Sequence, residues 1–144
     1  MSLQNPYAKY RQTQAITASQ FKLIIMLHDG AIRALQQAIP ATEAKDYESM
    51  SKHFNKATAI VGHLMGSVKP DTGEIAQNLS SIYMYCLQRI TEANATEDVS
   101  ITLEIIGHIR SIRDAWVQVE TNKAGDVNSG NAANGERLDL SFAA

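Results

Sequence analysis

The chain has 144 residues, of which 44% are hydrophobic and 19% charged, as in a single globular domain that is large enough to enclose a core. Its 13 basic and 15 acidic residues give a net charge of -2. This balance argues against a nucleic-acid-binding protein, because such proteins depend on many Lys and Arg contacts to phosphate.

The apolar residues predict helices along most of the chain. The order Asn5-Pro6 places a capping residue before a proline and predicts a short helix over 6–14. Four longer helices are predicted over 20–39, 45–68, 73–94 and 97–120, because apolar residues recur there every three or four positions. The four stripes are Ile24, Leu27, Ala31, Ala34 and Ala38; Tyr47, Met50, Phe54, Ala57, Val61, Leu64 and Val68; Ile75, Leu79, Ile82, Cys86, Ile90 and Ala93; and Ile101, Ile105, Ile109, Ile112, Trp116 and Val119.

Polar and proline residues predict where these helices begin and end. Pro40 is expected to end the first long helix, because the residue before a proline avoids helical geometry. Asp71 or Thr72 is expected to cap the third helix, and Thr96 the fourth. Gly62 and Gly66, one turn apart in the second helix, indicate that a neighbouring backbone approaches closely there.

Short connections between long amphipathic helices make neighbours antiparallel, so the expected fold is an all-α, antiparallel four-helix bundle with a short N-terminal cap helix. Residues 125–135 contain Val127 as their one large apolar side chain, which is too little to offset the entropy of ordering the backbone. We therefore expect a cap segment over 1–18, the bundle over 19–122 and a flexible, mostly disordered tail over 123–144. In that tail, Leu138, Leu140 and Phe142 form an apolar segment, for which self-docking is the less favoured alternative to disorder.

Few residues in the chain suggest chemistry. The four histidines include no pair spaced for metal binding on one helix, and Glu104 with His108 forms at most a helix-face pair. Cys86 is the only cysteine, which excludes an internal disulfide, and its place on an apolar stripe predicts an inert thiol. No nucleophile elbow or phosphate-binding loop is present. We therefore predict neither an enzyme, nor a metal site, nor a cofactor.

The termini and the apolar runs suggest where the protein works. Residues 1–6 are polar and lack the apolar core of a signal peptide. The longest apolar run, residues 23–27, is far shorter than the roughly 20 residues that a membrane-spanning helix needs. A cytoplasmic protein without membrane insertion is expected.

The apolar residues exceed what one stripe per helix requires. Tyr83 and Tyr85 cannot share a helix face, and the isoleucines of the last helix, at 101, 105, 106, 109 and 112, form a wider band than one stripe requires. Surplus apolar surface indicates a groove for a partner or a homodimer interface. The alternative is that these residues thicken the core.

Several segments resemble the FliS-type flagellin export chaperones in order and spacing. They are Asn5-Pro6-Tyr7 with Tyr10; Leu23-Ile24-Ile25-Met26-Leu27-His28-Asp29-Gly30-Ala31-Ile32; Lys56-Ala57 with Ile60-Val61 and Leu64; Gly73-Glu74-Ile75-Ala76, Asn78-Leu79 and Tyr83; and Ala93-Asn94 with Ile112-Arg113-Asp114-Ala115-Trp116. The resemblance covers roughly residues 5–120. The family usually has a tyrosine at the position that His28 occupies here.

The resemblance implies a chaperone without nucleotide or metal. Such a protein binds the unfolded C-terminal segment of flagellin in the cytoplasm, prevents premature polymerisation and delivers flagellin to the flagellar type III export gate. It also implies an N-terminal segment that covers part of the binding surface. Partner-binding residues are then expected at Tyr7, Tyr10, Leu27, Asp29, Gly30, Asn78, Tyr83, Ile105, Ile109 and Trp116. For Gly30, a close contact between helices is an equally good explanation. The alternative function is that of a generic helical adaptor or regulator acting as a homodimer.

Overall fold

Four long helices make up the computed structural model, which describes residues 18–129 and the side chains of 19–122. Helix α1 spans Ala18–Glu43, α2 Tyr47–Gly66, α3 Glu74–Thr96 and α4 Val99–Ser129, and a short 3-10 turn covers Pro70–Thr72. Each helix packs against two neighbours in the cyclic order α1, α2, α3, α4. The predicted all-α four-helix bundle is confirmed. The helix predicted over 6–14 and residues 130–144 of the predicted tail lie outside the described residues.

Contacts between the helices establish that neighbours run antiparallel. Ser51, near the start of α2, donates a hydrogen bond to Asn94 near the end of α3. Phe21, near the start of α1, packs against Trp116 in the second half of α4, with ring centroids 5.8 Å apart. Helix α4 then continues to Ser129, beyond the predicted end at residue 120.

Pro40 does not end α1, contrary to the sequence-based prediction. The helix continues to Glu43, since a proline close to a helix end removes only one backbone hydrogen bond. The helix stops at Lys45, whose φ of 57° is left-handed. The N–H of Lys45 donates to Thr42 O and that of Asp46 to Ala41 O, which is the Schellman arrangement that satisfies terminal carbonyls.

The predicted caps of α3 and α4 are also corrected. Gly73, with a φ of 155°, occupies the cap position of α3, while the Thr72 hydroxyl donates backwards to Lys69 O. Helix α3 includes Thr96 and ends where Glu97 adopts a left-handed φ of 60°. Asp98 then caps α4, and its carboxylate accepts a 2.9 Å hydrogen bond from Ser100 N.

The core follows the predicted stripes most closely in α2. Every predicted α2 position except Tyr47 is buried. In α3 the buried face is rotated, so that Ala76 and Tyr83 point inward and Ile75 and Ile82 are exposed. Both pairs are seven residues apart, and the helical period therefore does not distinguish them. The face that carries Tyr83 is the buried one, because the large tyrosine ring fills the core and its hydroxyl has a buried hydrogen-bond partner, described below.

Gly62 and Gly66 do not mark a close backbone approach, and that prediction is wrong. A Cβ atom added to either residue would meet no atom within 4 Å. At Gly30 an added Cβ would lie 3.4 Å from Ile60 Cδ1, which is ordinary contact with a flexible side chain. The space beside Gly62 and Gly66 is therefore open surface of α2.

Replacing Gly62 or Gly66 by alanine is expected to stabilise the fold by about 0.5–1 kcal/mol per site, because alanine loses less backbone entropy in a helix. The free energy of unfolding can be measured by urea denaturation followed by circular dichroism. Gly73→Ala is the control and is expected to destabilise the fold, since the φ of 155° at position 73 is unfavourable for alanine. Destabilisation by Gly62→Ala would show that the space beside it is filled.

Candidate functional site

A hydrogen-bonded histidine lies at the centre of the bundle. His28 on α1 has no exposed surface. Its Nδ1 lies 2.8 Å from Ile24 O, one turn earlier in the same helix. Its Nε2 lies 2.8 Å from the Tyr83 hydroxyl on α3. Helices α1 and α3 are diagonal rather than neighbouring, so this bond crosses the core.

The partners determine the protonation of this pair. A carbonyl oxygen only accepts hydrogen bonds, so His28 Nδ1 must carry the proton that goes to Ile24 O. Nε2 of the neutral ring then accepts from the Tyr83 O–H. Trp116 on α4 completes the chain, because its indole N–H can only donate and it hydrogen-bonds Tyr83. Three of the four helices are thus joined by satisfied polar groups within an apolar core.

Burial decides the charge state of these groups. Desolvation lowers the pKa of His28, and a nearby Arg113 acts in the same direction, while the Ile24 carbonyl and Asp29 oppose it. Desolvation likewise raises the pKa of Tyr83. Both rings are therefore neutral at physiological pH, which is the state that their hydrogen bonds require.

Two ion pairs connect α4 with its neighbours at the bundle surface. Arg113 Nε donates to Asp29 Oδ1 at 2.8 Å and joins α4 to α1. On the other side Glu104 accepts from Arg89 Nη2 at 2.7 Å and from the Tyr85 hydroxyl at 2.6 Å, which joins α4 to α3. These donors hold the pKa of Glu104 at about 2. His108 lies 3.3 Å from Glu104, which confirms the predicted helix-face pair.

The predicted partner-binding residues fall into three groups. Leu27, Asp29 and Gly30 are half-buried along α1, and Asn78 is exposed on α3. Four more are buried: Tyr83, Ile105, Ile109 and Trp116. Since buried side chains cannot contact a partner in this conformation, these four shape the surface from beneath. Tyr7 and Tyr10 lie outside the described residues.

The exposed apolar side chains are ones that the sequence analysis did not select as partner-binding residues. On α1 they are Leu23 and Met26, which are 46% and 60% exposed. The others are Tyr47, Ile75, Ile82, Met84, Tyr85 and Leu103. Tyr47, Ile75 and Ile82 lie on the predicted stripes, whose core assignment is wrong at these positions. For the others, the available signal was their position beside the stripes, together with their unusual size for surface residues.

Three of the apolar residues on α3 form a row that we call the α3 stripe: Ile75, Leu79 and Ile82. They are spaced four and three residues apart and therefore share one side of the helix. Ile75 and Ile82 are 41% and 36% exposed, and Leu79 is half-buried. Tyr85, one turn beyond Ile82, contacts Glu104, so the stripe borders α4.

The composition of α4 explains why the α3 stripe stays open. Glu104 and His108 mark the side of α4 that faces α3. Continued at helical spacing, that side presents Ser111 and Ala115, both of which are exposed. Side chains this small cannot cover two isoleucines. The result is a shallow apolar groove between α3 and the second half of α4.

The described residues offer little for catalysis or membrane insertion. Among the side chains that the structure describes, no group of three or more His, Cys, Asp or Glu residues is arranged to hold a metal ion. No helix within residues 18–129 has the length and apolar character that crossing a bilayer requires. Cys86 is buried, and desolvation raises the pKa of its thiol to about 11.

Comparison with known proteins identifies the family. Residues 3–123 match the family model described as flagellar protein FliS. The chain belongs to the FliS family. Its curated relatives include the flagellar secretion chaperone FliS of Bacillus subtilis, 29% identical over 88% of this chain and 94% of the relative. The protein of that name from Salmonella typhimurium is 34% identical over 75% of this chain and 82% of the relative. The Escherichia coli protein is 31% identical over 73% and 79%. The resemblance stated from sequence is thus confirmed.

Within this FliS-family bundle, His28 should make stability depend on pH. Its folded-state pKa lies below the unfolded value of about 6.5, so the neutral ring stabilises the fold above that pH. This contribution is lost as pH falls below 6.5, by up to about 1.4 kcal/mol per pH unit. Urea denaturation at pH 7.5, 6.5 and 5.5 measures it.

His28→Gln should flatten this pH profile, because glutamine can donate to Ile24 O and accept from Tyr83 without titrating. His108→Gln is the matched control, because it removes a histidine from the bundle surface and keeps the buried His28 in place. Equal pH slopes for the wild type and His28→Gln would contradict the prediction.

Proposed function

We propose that this protein is a cytoplasmic export chaperone for flagellin. It binds the C-terminal segment of flagellin, prevents premature polymerisation and delivers flagellin to the flagellar type III secretion apparatus through a component of the export gate. Membership of the FliS family supports this function, since the relatives are named flagellar secretion chaperones. The work consists of binding and release, and no catalytic step is involved.

The exposed apolar residues are the observation that carries the proposal. A bundle that already buries 25 hydrophobic residues gains nothing in solubility from also exposing Leu23, Met26, Ile75 and Ile82. An unfolded partner that forms amphipathic helices can cover such side chains, as in helix-in-groove recognition. Each Å² of apolar surface so removed from water contributes about 25 cal/mol before the ordering cost of the partner is subtracted.

The α3 stripe is the proposed centre of this contact. The groove beside it has an apolar wall on α3 and a floor of small residues, Ser111 and Ala115, on α4. A helix or an extended segment can lie along such a groove without displacing the bundle's own side chains. The buried Tyr83 and Trp116 support it by fixing how α3 and α4 pack.

The surface of α1 supplies a second contact region in the proposal. Leu23 and Met26 are one turn apart, and the half-buried Leu27 and Gly30 continue the same side of the helix. Asp29 is held beside them by its ion pair with Arg113, which places a paired carboxylate and guanidinium at the edge of the region. A partner that reaches both α1 and α3 must wrap around the bundle.

The binding test is a calorimetric titration of the protein with a peptide covering the C-terminal region of flagellin. We expect one-to-one binding, a negative heat-capacity change and a gain of helicity. Ile75→Ser combined with Ile82→Ser should weaken binding at least about tenfold, because two apolar side chains lose their burial. The control replaces Gln77 and Gln88, exposed residues elsewhere on α3, by serine.

Each alternative outcome has a distinct meaning. Absence of heat and helicity with the folded wild type would overturn the flagellin proposal. A stable dimer that persists in size-exclusion chromatography with the peptide present would favour the homodimeric adaptor instead. Equal weakening by the control pair would show that the effect is not specific to the α3 stripe.

The N-terminal tyrosines give a separate prediction. If residues 1–18 act as a cap segment that contacts flagellin, then replacing both Tyr7 and Tyr10 by alanine should weaken binding of the flagellin peptide while the bundle stays folded. Fluorescence anisotropy with a labelled peptide measures the affinity, and circular dichroism confirms the fold. Replacing both tyrosines by phenylalanine is the control, because it keeps the aromatic area. Unchanged affinity of the folded alanine variant would refute the role of these residues.

A further inference from the structure

We propose that the outer side of α1 and α2 docks an acidic amphipathic helix of a partner protein. This side, which we call the basic face, combines exposed apolar side chains with cations that pair with no described carboxylate. It includes the α1 contact region proposed above, so the assignment of the helix to an export partner rests on the proposed function. The preference for acidic charge does not, because it is argued from the bundle alone.

Charge is unevenly distributed over the bundle. Residues 19–69, which include the side chains of α1 and α2, contain six Lys and Arg and four Asp and Glu, a net charge of +2. Residues 70–122 contain three Arg and eight Asp and Glu, a net charge of -5. The bundle therefore has a basic half and an acidic half, and the basic half attracts anionic partners.

The cations of the basic half are the ones that lack ion pairs. Lys45, Arg89 and Arg113 each pair with a carboxylate. Five exposed cations of residues 19–69 have no such pair among the described side chains: Lys22, Arg33, Lys52, Lys56 and Lys69. Two of the four carboxylates of this half are already engaged, since Asp29 accepts from Arg113 and Asp46 caps α2. The surplus positive charge is thus available to the carboxylates of a partner.

Contacts of α1 show which of its residues belong to the basic face. Gly30 faces α2, since a Cβ atom at this position would lie 3.4 Å from Ile60 Cδ1. Met26 and Arg33 lie one turn from Gly30, and Leu23 lies two turns before it, so all four share one side of α1. The Arg33 guanidinium reaches back over Gly30, because its Nη2 lies 4.0 Å from the same Cβ position. Gly30 therefore leaves a gap that is bordered by Ile60 and Arg33.

Helix α2 contributes the other half of the basic face. Lys56 lies one turn before Ile60 and Lys52 one turn earlier still, so both lie along the side of α2 that meets α1. Because α1 and α2 are antiparallel and Gly30 lies level with Ile60, Arg33 lies level with about residue 57. Arg33 is therefore beside Lys56, across the groove between the two helices.

No carboxylate of either helix separates these cations. Residues 30–42 and 49–70 contain neither Asp nor Glu. Neighbouring like charges repel, and acidic side chains of a partner at this place would relieve the repulsion. The exposed Leu23 and Met26 continue the same side of α1, so the fitting partner is apolar as well as acidic.

An amphipathic helix has the shape and length that the basic face requires. Leu23 and Arg33 are about 15 Å apart along α1, a distance that about three turns of a partner helix cover. Its apolar residues can contact Leu23, Met26 and the gap at Gly30, while carboxylates one turn apart reach Arg33 and Lys56. This is helix-in-groove recognition with charge as the selecting feature.

A second copy of the chain and a membrane surface fit the basic face less well. The acidic half of a second copy would make a contact between unlike faces, which produces open chains of molecules and not a closed dimer. In that half Glu104 is already bound by Arg89 and Tyr85. A bilayer surface is flat and leaves the gap at Gly30 unfilled.

The test measures binding of designed peptides to the full-length protein by fluorescence anisotropy. The probe is a labelled amphipathic peptide of about 18 residues, with leucines at helical spacing and glutamates beside them. The same peptide with lysine in place of each glutamate is the charge control. We expect the acidic peptide to bind at least about tenfold more tightly at about 50 mM salt, and this preference to shrink at about 300 mM.

Substitutions locate the binding on the basic face. Arg33→Gln with Lys56→Gln should weaken binding of the acidic peptide at least about fivefold, and Met26→Ser should weaken it as well. The matched control is Lys69→Gln with Arg110→Gln. It removes two exposed cations that have no ion pair among the described side chains and lie outside the basic face, and it should change the affinity less than about twofold. Circular dichroism confirms that each variant is folded.

The contrary outcomes are distinct. Equal binding of the acidic and basic peptides, or equal weakening by the two pairs of substitutions, would overturn the proposal. So would binding to phosphatidylglycerol vesicles without binding of the acidic peptide, which assigns the face to a membrane. An assembly of the wild type that Arg33→Gln with Lys56→Gln dissolves in size-exclusion chromatography would assign it to a second copy.

The flagellin titration is read separately from the peptide test. Absence of flagellin binding together with tight binding of the acidic peptide would refute the proposed function and keep the charge preference of the basic face. Flagellin binding without any preference for the acidic peptide would do the reverse.

Discussion

The hydrogen bond between His28 and Tyr83 joins α1 and α3, which lie diagonally across the bundle and are not packing neighbours. Four amphipathic helices in a ring each touch two neighbours, and apolar packing alone allows them to slide or rotate by a residue. The bond crosses the centre and sets the rotation of α1 relative to α3. Trp116 extends the constraint to α4. Buried polar groups that must all find partners tolerate few alternative arrangements, which is why this chain specifies one packing.

The rotation of α3 determines which surface the protein presents. With Tyr83 turned inward, Ile75 and Ile82 come to the surface beside α4. A bundle with the opposite rotation would bury the isoleucines and expose a tyrosine. The polar contact in the core and the apolar groove at the surface thus both follow from the rotation of α3 about its axis. The ion pair between Arg89 and Glu104 and the hydrogen bond from Tyr85 to Glu104 hold α3 and α4 together immediately beyond the groove, so the groove is bounded at that end.

The fold could be predicted from sequence because the helical period is strong and the connections are short. Helix α2 is the clearest case, since Phe54, Val61 and Leu64 lie on a heptad pattern with no competing face. The surface of α3 could not be predicted in the same way. Ala76 with Tyr83 and Ile75 with Ile82 obey the same spacing, and only a partner on another helix decides between them.

The predictions made from single residues, such as the helix end at Pro40 and the close approach at Gly62 and Gly66, were wrong because neighbouring residues determine the structure there. Pro40 is compatible with the last turn of α1, and the actual end is set by the left-handed Lys45. The spacing of Gly62 and Gly66 predicted tight packing, yet both residues border open space. A glycine shows that a side chain is absent but not whether a neighbouring helix fills the space. Most predicted partner-binding residues were selected by resemblance, which marks important positions without distinguishing those that contact a partner from those that hold the bundle.

The pairing of His28 with Tyr83 also constrains how the family can vary. A hydroxyl at position 83 needs a buried acceptor, so a change at position 28 to a residue that cannot accept a hydrogen bond leaves a buried donor unsatisfied. Phenylalanine at position 83 would in turn leave the His28 Nε2 without a partner. Substitutions at these two positions should therefore be inherited together, and a sequence carrying histidine at the first is expected to keep a hydroxyl donor at the second, although 55 residues separate them.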